Sequence, residues 1–349
     1  MLRKAALFGA LLLLFYVTSN AVEFQFLDEQ IYIKAGEEQV RGVPPALSSN
    51  PEHPPLAKYL IGLWPRSTLV AGAATLLLAG WMARLMGRSF WLVAFSLASD
   101  IVFARTARFA MLDVFVALFS TAGVVSYLLG RRWLSGVLWG AAFASKFTAL
   151  FPFLGFFLYL ALRDRRSIVP VVVAAGLAFV AAHAVDIANG LLLFHMQYYW
   201  WLVTFHSHKN PFEGWLVLFT GAPWYVYYTK FLYNGTAVVT AVEGPGVYDV
   251  LEYEVWISAA PWMGHVAWRA LLVEILASAR GGGLPPFLAG FSALVAQAGW
   301  YYWYFAGVAP FFHLYTRRLY IALQLAFVAL LYVGFPPVLT WRLGPLPTG

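Results

Sequence analysis

Residues 112–146 read LDVFVALFSTAGVVSYLLGRRWLSGVLWGAAFASK, two apolar runs hinged on Arg131-Arg132. The first run carries one charged side chain, Asp113, at its start, and no proline. Its length is close to the roughly 20 residues that a helix needs to cross a bilayer core. An arginine pair between two such runs marks the inner side of a membrane, where basic residues are retained. The stretch therefore reads as a helical hairpin through a bilayer.

The same pattern recurs outward in both directions. Apolar runs fall at about 5–22, 58–83, 90–104, 112–130, 133–146, 147–162, 167–187, 253–279, 284–300, 302–316 and 319–338. With residue 1 inside, the inner turns carry Arg84/Arg88, Arg131/Arg132, Arg163/Arg165/Arg166, Arg280 and Arg317/Arg318. Every inner turn is basic. The short pairs around 133–162 and 284–316 also admit single long or re-entrant segments. Met1-Leu-Arg-Lys4 followed by apolar sequence resembles a signal peptide with a cut near Ser19-Asn20-Ala21, but the register of the later charge clusters favours a first span. The expected fold is an all-α polytopic membrane protein of about eleven transmembrane helices, one membrane domain over residues 1–349.

Composition agrees. The chain is 61% hydrophobic and 11% charged, against about 45–50% and about 25% in a soluble domain. Its 15 Trp and 19 Tyr suit the headgroup zone, where a ring is half wet. The net charge of +7 sits in short turns between spans, not in a patch for nucleic acid, so the partners expected are membrane lipids. With no cysteine, disulfides are excluded and the redox clue to compartment is silent.

Two outer stretches, 23–57 and 188–252, exceed simple turns and are rich in Trp, Tyr and Pro, a poor composition for disorder. Long loops in compact proteins are commonly functional, and these two are expected to form an ordered cap over an active site. The first opens on Asp28-Glu29, with Tyr32 one helical turn further and His53-Pro-Pro-Leu56 at the return to the bilayer. Paired carboxylates there suit a base or a cation site; an acidic helix N-terminus favoured by the dipole is the structural alternative. Arg105 and Arg108 lie in an outward turn against the positive-inside bias, with Asp113 close behind. They read either as an Arg–Asp structural pair or as a guanidinium grip on phosphate. Lys146 adds a further outward cation. His206-Ser-His208 has alternating spacing that would offer two imidazoles to a metal, but no third ligand is fixed. Asn234-Gly-Thr236 fits a glycan sequon by pattern.

Together these segments resemble the protein O-mannosyltransferase family within the GT-C class of polyprenyl-phosphate-sugar glycosyltransferases. The resemblance is carried by Asp28-Glu29, His53-Pro-Pro-Leu-Ala-Lys58, Arg108-Phe-Ala-Met-Leu-Asp113, Gly140-Ala-Ala-Phe-Ala-Ser-Lys146, His208-Lys-Asn-Pro211, Ala222-Pro-Trp-Tyr225 and Tyr301-Tyr-Trp-Tyr304 leading to Pro310. It implies a sugar, typically mannose, carried on a polyprenyl or dolichyl phosphate and moved with inversion to a hydroxyl outside the cytoplasm. It implies Asp28 as catalytic carboxylate with Glu29 beside it, Arg108 on the donor phosphate with Arg105 and Lys146 assisting, and His53, Tyr32, His208 and Trp224 orienting substrate. The class includes metal-dependent and metal-independent members, so a divalent metal is left open and no metal ligands are assigned. Residues 188–252 have no room for the β-trefoil insertion of eukaryotic members. This points to the prokaryotic type in a cell membrane, and leaves the acceptor open among protein Ser/Thr, lipid and glycan. The rival from another class is a secondary transporter, against which no internal repeat is visible.

Overall fold

The computed structural model describes residues 2–21, 27–207, 227–233, 236–241, 253–258, 274–276, 278, 283–298, 302–333 and 338–343. The chain is predominantly helical: α1 (Leu2–Ser19), α2 (Leu27–Val40), α3 (Leu56–Leu63), α4 (Ser67–Leu85), α5 (Phe90–Ala98), α6 (Ile101–Arg108), α7 (Asp113–Leu128), α8 (Arg132–Phe143), α9 (Leu150–Arg163), α10 (Ile168–Ala182), α11 (Ala184–Ala188), α12 (Leu192–Ser207), α13 (Leu284–Ser292), α14 (Ala309–Phe312) and α15 (Arg318–Tyr332). A core of Leu76, Ala79, Phe103, Val116, Trp139, Phe156 and Phe305 is fully shielded where α4, α6, α7, α8 and α9 meet.

Among the described residues, Ser67–Leu85 and Arg165–Ala182 are the helices long and apolar enough to cross a membrane; α5 with α6 makes a third if the bent pair is one span. Asp113–Leu128, Phe147–Arg163, Leu284–Ala296 and Arg318–Leu330 are apolar but shorter. The eleven spans expected from the sequence are therefore matched only in part. The outer face of α10 leaves Val169 66% and Leu177 66% exposed, with Val172, Val173 and Val180 beside them. An apolar surface this continuous is unusual on a soluble monomer and is suited to lipid chains.

Three departures from the sequence expectation have local causes. The run 58–83 is divided at Trp64, whose backbone is extended (φ −161°, ψ 108°) because the following Pro65 disfavours a helical predecessor. The run 90–104 bends by 65° between α5 and α6. There Asp100 restarts the helix by accepting hydrogen bonds from the Val102 N–H (2.9 Å) and the Phe103 N–H (3.1 Å). Third, the run expected as a span over 253–279 opens as a strand. Here β1 (Tyr227–Tyr233), β2 (Thr236–Ala241), β3 (Tyr253–Ser258) and β4 (Val338–Leu343) form an antiparallel sheet in the order β2-β1-β3-β4. Aromatic and β-branched residues in Tyr-Glu-Val-Trp-Ile favour the pleat, and the apolar count alone hides this. The two residues between β1 and β2 in sequence are Asn234-Gly235, the pair most favoured in a tight hairpin, which is a reason for their presence other than glycosylation.

The element that positions the site is the pair α2 and α3, packed backbone on backbone. A Cβ on Gly36 would strike the Lys58 carbonyl, and one on Gly62 the Gly36 carbonyl. We expect Gly62→Ala to cost roughly 1–3 kcal/mol, as overpacking does when neither side can yield. Thermal melting in detergent checks this against Gly9→Ala, whose new methyl meets nothing within 4 Å; equal melting points would refute the tight crossing.

Candidate active site

Asp28 and Glu29 occupy the first turn of α2, where the helix dipole favours negative charge. Both are half-buried. Tyr32, one turn on and 2% exposed, donates its hydroxyl to Asp28 Oδ2 at 3.3 Å. The Tyr32 ring meets the His53 ring edge-on at 5.8 Å between centroids. Burial, then the neighbouring charges of Asp28, Tyr304, Asp113 and Glu52, raise the Tyr32 hydroxyl well above its ordinary pKa. One small region thus gathers Asp28, Tyr32, Glu52, His53, Asp113 and Tyr304.

Glu29 leans the other way, toward α6. Its Oε1 accepts the Ala110 N–H at 3.3 Å. Burial raises its carboxyl pKa, while that hydrogen bond and the Arg108 charge pull it back. Arg108 ends α6 and is exposed, its guanidinium 5.6 Å from the Phe109 ring centroid. Arg105, 4% exposed, faces the same ring from inside at 5.7 Å. Of the two arginines, Arg108 is therefore the one open to a ligand in this conformation.

Lys146 stands between α8 and α9 and is 2% exposed. Its ammonium donates to Asp113 Oδ2 at 2.8 Å and lies 4.0 Å from the centroid of the Tyr304 ring. Asp113 is thus paired with Lys146, which replaces the Arg–Asp pair considered from sequence. His208 and Trp224, expected to orient substrate, lie outside the described residues, and so do both imidazoles of the His206-Ser-His208 pattern. Among the described residues no group of three or more His, Cys, Asp or Glu side chains is arranged to hold a metal ion.

Glu52 is absent from the sequence expectation, and Lys58 enters it only as the last residue of His53-Pro-Pro-Leu-Ala-Lys58, with no role assigned. Lys58, fully buried, donates to the carbonyls of Asn50 and of His53, the latter at 2.7 Å. Glu52 is half-buried, and burial raises its pKa against the pull of Lys58. Glu52 stands just before that motif, but nothing in the sequence marks it as close enough to Asp28 for their charges to interact. The neighbourhood offers a carboxylate hydrogen-bonded to a phenol, a second carboxylate across from it, and one exposed guanidinium. That set suits proton removal from a hydroxyl next to an anionic group.

No protein-family model matches the chain, and no curated protein matches it. Among solved structures, the chain is similar to the crystal structure of ArnT from Cupriavidus metallidurans bound to undecaprenyl phosphate. The identity is 16%, the TM-score 0.49, and the match covers 92% of this chain and 59% of that one. The likeness is loose, and the chain spans well under two thirds of the length of that protein.

Proposed function

We propose that the chain is a membrane-embedded GT-C-type glycosyltransferase that moves a sugar from a polyprenyl-phosphate donor to a hydroxyl acceptor. The observation that carries this reading is the placement of half-buried Asp28, hydrogen-bonded to Tyr32 at 3.3 Å, on the same short helix as Glu29, which adjoins exposed Arg108. In this reading Asp28 takes the proton of the acceptor hydroxyl as its oxygen attacks the anomeric carbon. The bond from that carbon to the phosphate oxygen breaks, the electron pair leaves with the phosphate, and the anomeric centre inverts. A positioned general base contributes about 10²–10⁴-fold. Arg108 receives the growing phosphate charge, where a guanidinium fork is effective. Lys146, neutralised by Asp113, supports the floor of the site, and Arg105 braces the same turn from within. His53 and Tyr32 orient the acceptor; His208 and Trp224 keep the orienting role that the family resemblance implies.

Mannose as the sugar and a protein Ser/Thr as acceptor follow from that resemblance, with a lipid or glycan acceptor as the alternatives. The site faces outward from a prokaryotic cell membrane under the charge-based topology, and outer segments 23–57 and 188–252 cap it. The test is transfer of label from polyprenyl-phosphate mannose, glucose or arabinose by purified protein in lipid. Label on a hydroxyl-bearing peptide, lipid or glycan supports the reading and names the acceptor; no transfer from any donor by folded protein removes it. Arg108→Ala is expected to weaken donor binding about tenfold or more, the scale of a lost charge-assisted hydrogen bond, and to leave the melting point nearly unchanged because the side chain is exposed. Unchanged donor affinity in a folded variant would return Arg108 to a structural role.

One observation favours a second reading, secondary transport. The break between α5 and α6 holds a buried polar network in which His313 Nε2 donates to Asp100 Oδ2 at 2.8 Å, and Ser96 joins His313 and Thr316 at 2.8 and 2.6 Å. Broken helices and intramembrane ionisable pairs are features of transporters. Sugar or proton flux into proteoliposomes without any transfer would favour that reading.

A further inference from the structure

A second polar cluster lies apart from the candidate site, where α11 and α12 meet. Asp186, His195 and His183 are each fully buried, and Tyr199 is 6% exposed. Tyr199 donates its hydroxyl to His183 Nε2 at 2.6 Å, and His183 Nδ1–H donates to the Phe179 carbonyl at 2.8 Å. These bonds seat α12 on α10. His195 is oriented from both sides: Nε2–H donates to the Pro51 carbonyl at 2.8 Å, and Nδ1 lies 2.6 Å from Asp186 Oδ2. The other oxygen of Asp186 accepts the Ala46 N–H at 3.0 Å.

Both long-range bonds end on the backbone of one short segment, about 140 residues away in sequence. Lys58 binds that same segment as well, at the Asn50 and His53 carbonyls. The carbonyls of Asn50, Pro51 and His53 are thus all taken by buried nitrogen donors. The same stretch includes Glu52, whose charge interacts with Asp28, and His53, whose ring meets Tyr32. Uncapped backbone carbonyls in a buried loop are costly, so this segment depends on the three side chains for its path.

We propose that the buried Asp186–His195 pair is a positioning clasp: it touches no reacting group, but by holding Ala46 and Pro51 it fixes Glu52 and His53 in register with Asp28. The role in catalysis rests on the transferase reading above; the mechanical role does not. An error of about 1 Å in placement far from the chemistry can cost on the order of 100-fold in rate, so a remote clasp is an economical place to set the geometry.

Hydrogen exchange of the full chain in lipid nanodiscs tests the clasp without reference to activity. His195→Gln is expected to speed exchange of the amides over residues 46–53 at least tenfold while α4 stays protected. Unchanged protection over 46–53 in the folded variant overturns the proposal. If His195→Gln does not fold, Asp186→Asn, which keeps an oxygen for Ala46, is measured in the same way and decides by the same criterion. For the catalytic half, transfer is measured for His195→Gln, His53→Ala and the double variant. A combined loss well below the product of the single losses supports action through the 50–53 segment, whereas multiplying losses overturn it. Fast exchange at 46–53 combined with a wild-type protein that transfers no sugar retains the clasp and sinks only the transferase reading.

Discussion

Replacing Asp28 by Asn is expected to lower transfer by about 10²–10⁴-fold, the loss of a general base, with folding and membrane insertion unchanged. The substitution is nearly isosteric, and an amide oxygen still accepts the Tyr32 hydroxyl that reaches Asp28 at 3.3 Å. What the amide does not do is take a proton. Because Asp28 is only half-buried, its charge contributes little to the core, so the melting point should stay close to wild type. Glu29→Gln is the informative partner: its carboxylate is already engaged by the Ala110 N–H and Arg108, and it should cost far less turnover. The measurement is single-turnover transfer from labelled donor, run beside thermal melting. Near-normal turnover in Asp28→Asn would remove the central assignment, and a larger loss in Glu29→Gln would move the base to its neighbour.

The second large effect concerns Asp113 and Lys146. Their 2.8 Å contact is shut away from solvent, with exposures of 0% and 2%. Removing one member leaves the other as an uncompensated buried charge, typically a loss of about 3–5 kcal/mol. Lys146→Met should therefore be severely destabilised, and Asp113→Leu likewise. The double variant, with both charges gone, should recover most of the loss, because an apolar pair of similar volume replaces two desolvated ions. Melting in lipid nanodiscs reads the stability cycle. Donor binding to the double variant then separates the two roles of Lys146. Normal affinity means that the lysine is structural; lost affinity in a stable double variant means that it grips the donor phosphate as well.

Contacts within one or two turns were legible in the residues themselves. Tyr32 lies four residues beyond Asp28, and a helix places such a pair on one face, so their hydrogen bond follows from local periodicity. The acidic start of α2 was likewise readable, because it obeys the dipole. The partner of Asp113 was not. Arg108 is five residues away and Lys146 is 33, so proximity in the chain pointed to the wrong cation. Glu52 shows the same limit, since the segment that carries it is held by Asp186 and His195, about 140 residues further along the chain.

The sequence by itself determined the apolar helical character, the alternation of basic turns with apolar runs, and the clustering of Asp28, Arg108 and Lys146 on one side of the chain's charge pattern. These are one-dimensional properties: hydrophobic period and charge position survive in any reading of the string. Only the tertiary structure decided which charges meet, which apolar run is a strand, and which backbone groups the Asp186–His195 pair holds. Asp100 looks like an interruption in an apolar run until its side chain is seen to cap α6. Tyr253–Ser258 looks like the start of a span until it pairs with β1 and β4. The strand is decided by contacts between distant residues, whose partners are fixed by packing, whereas the Asp100 cap binds its own neighbours in the chain and needed the structure only to show that the helix restarts there.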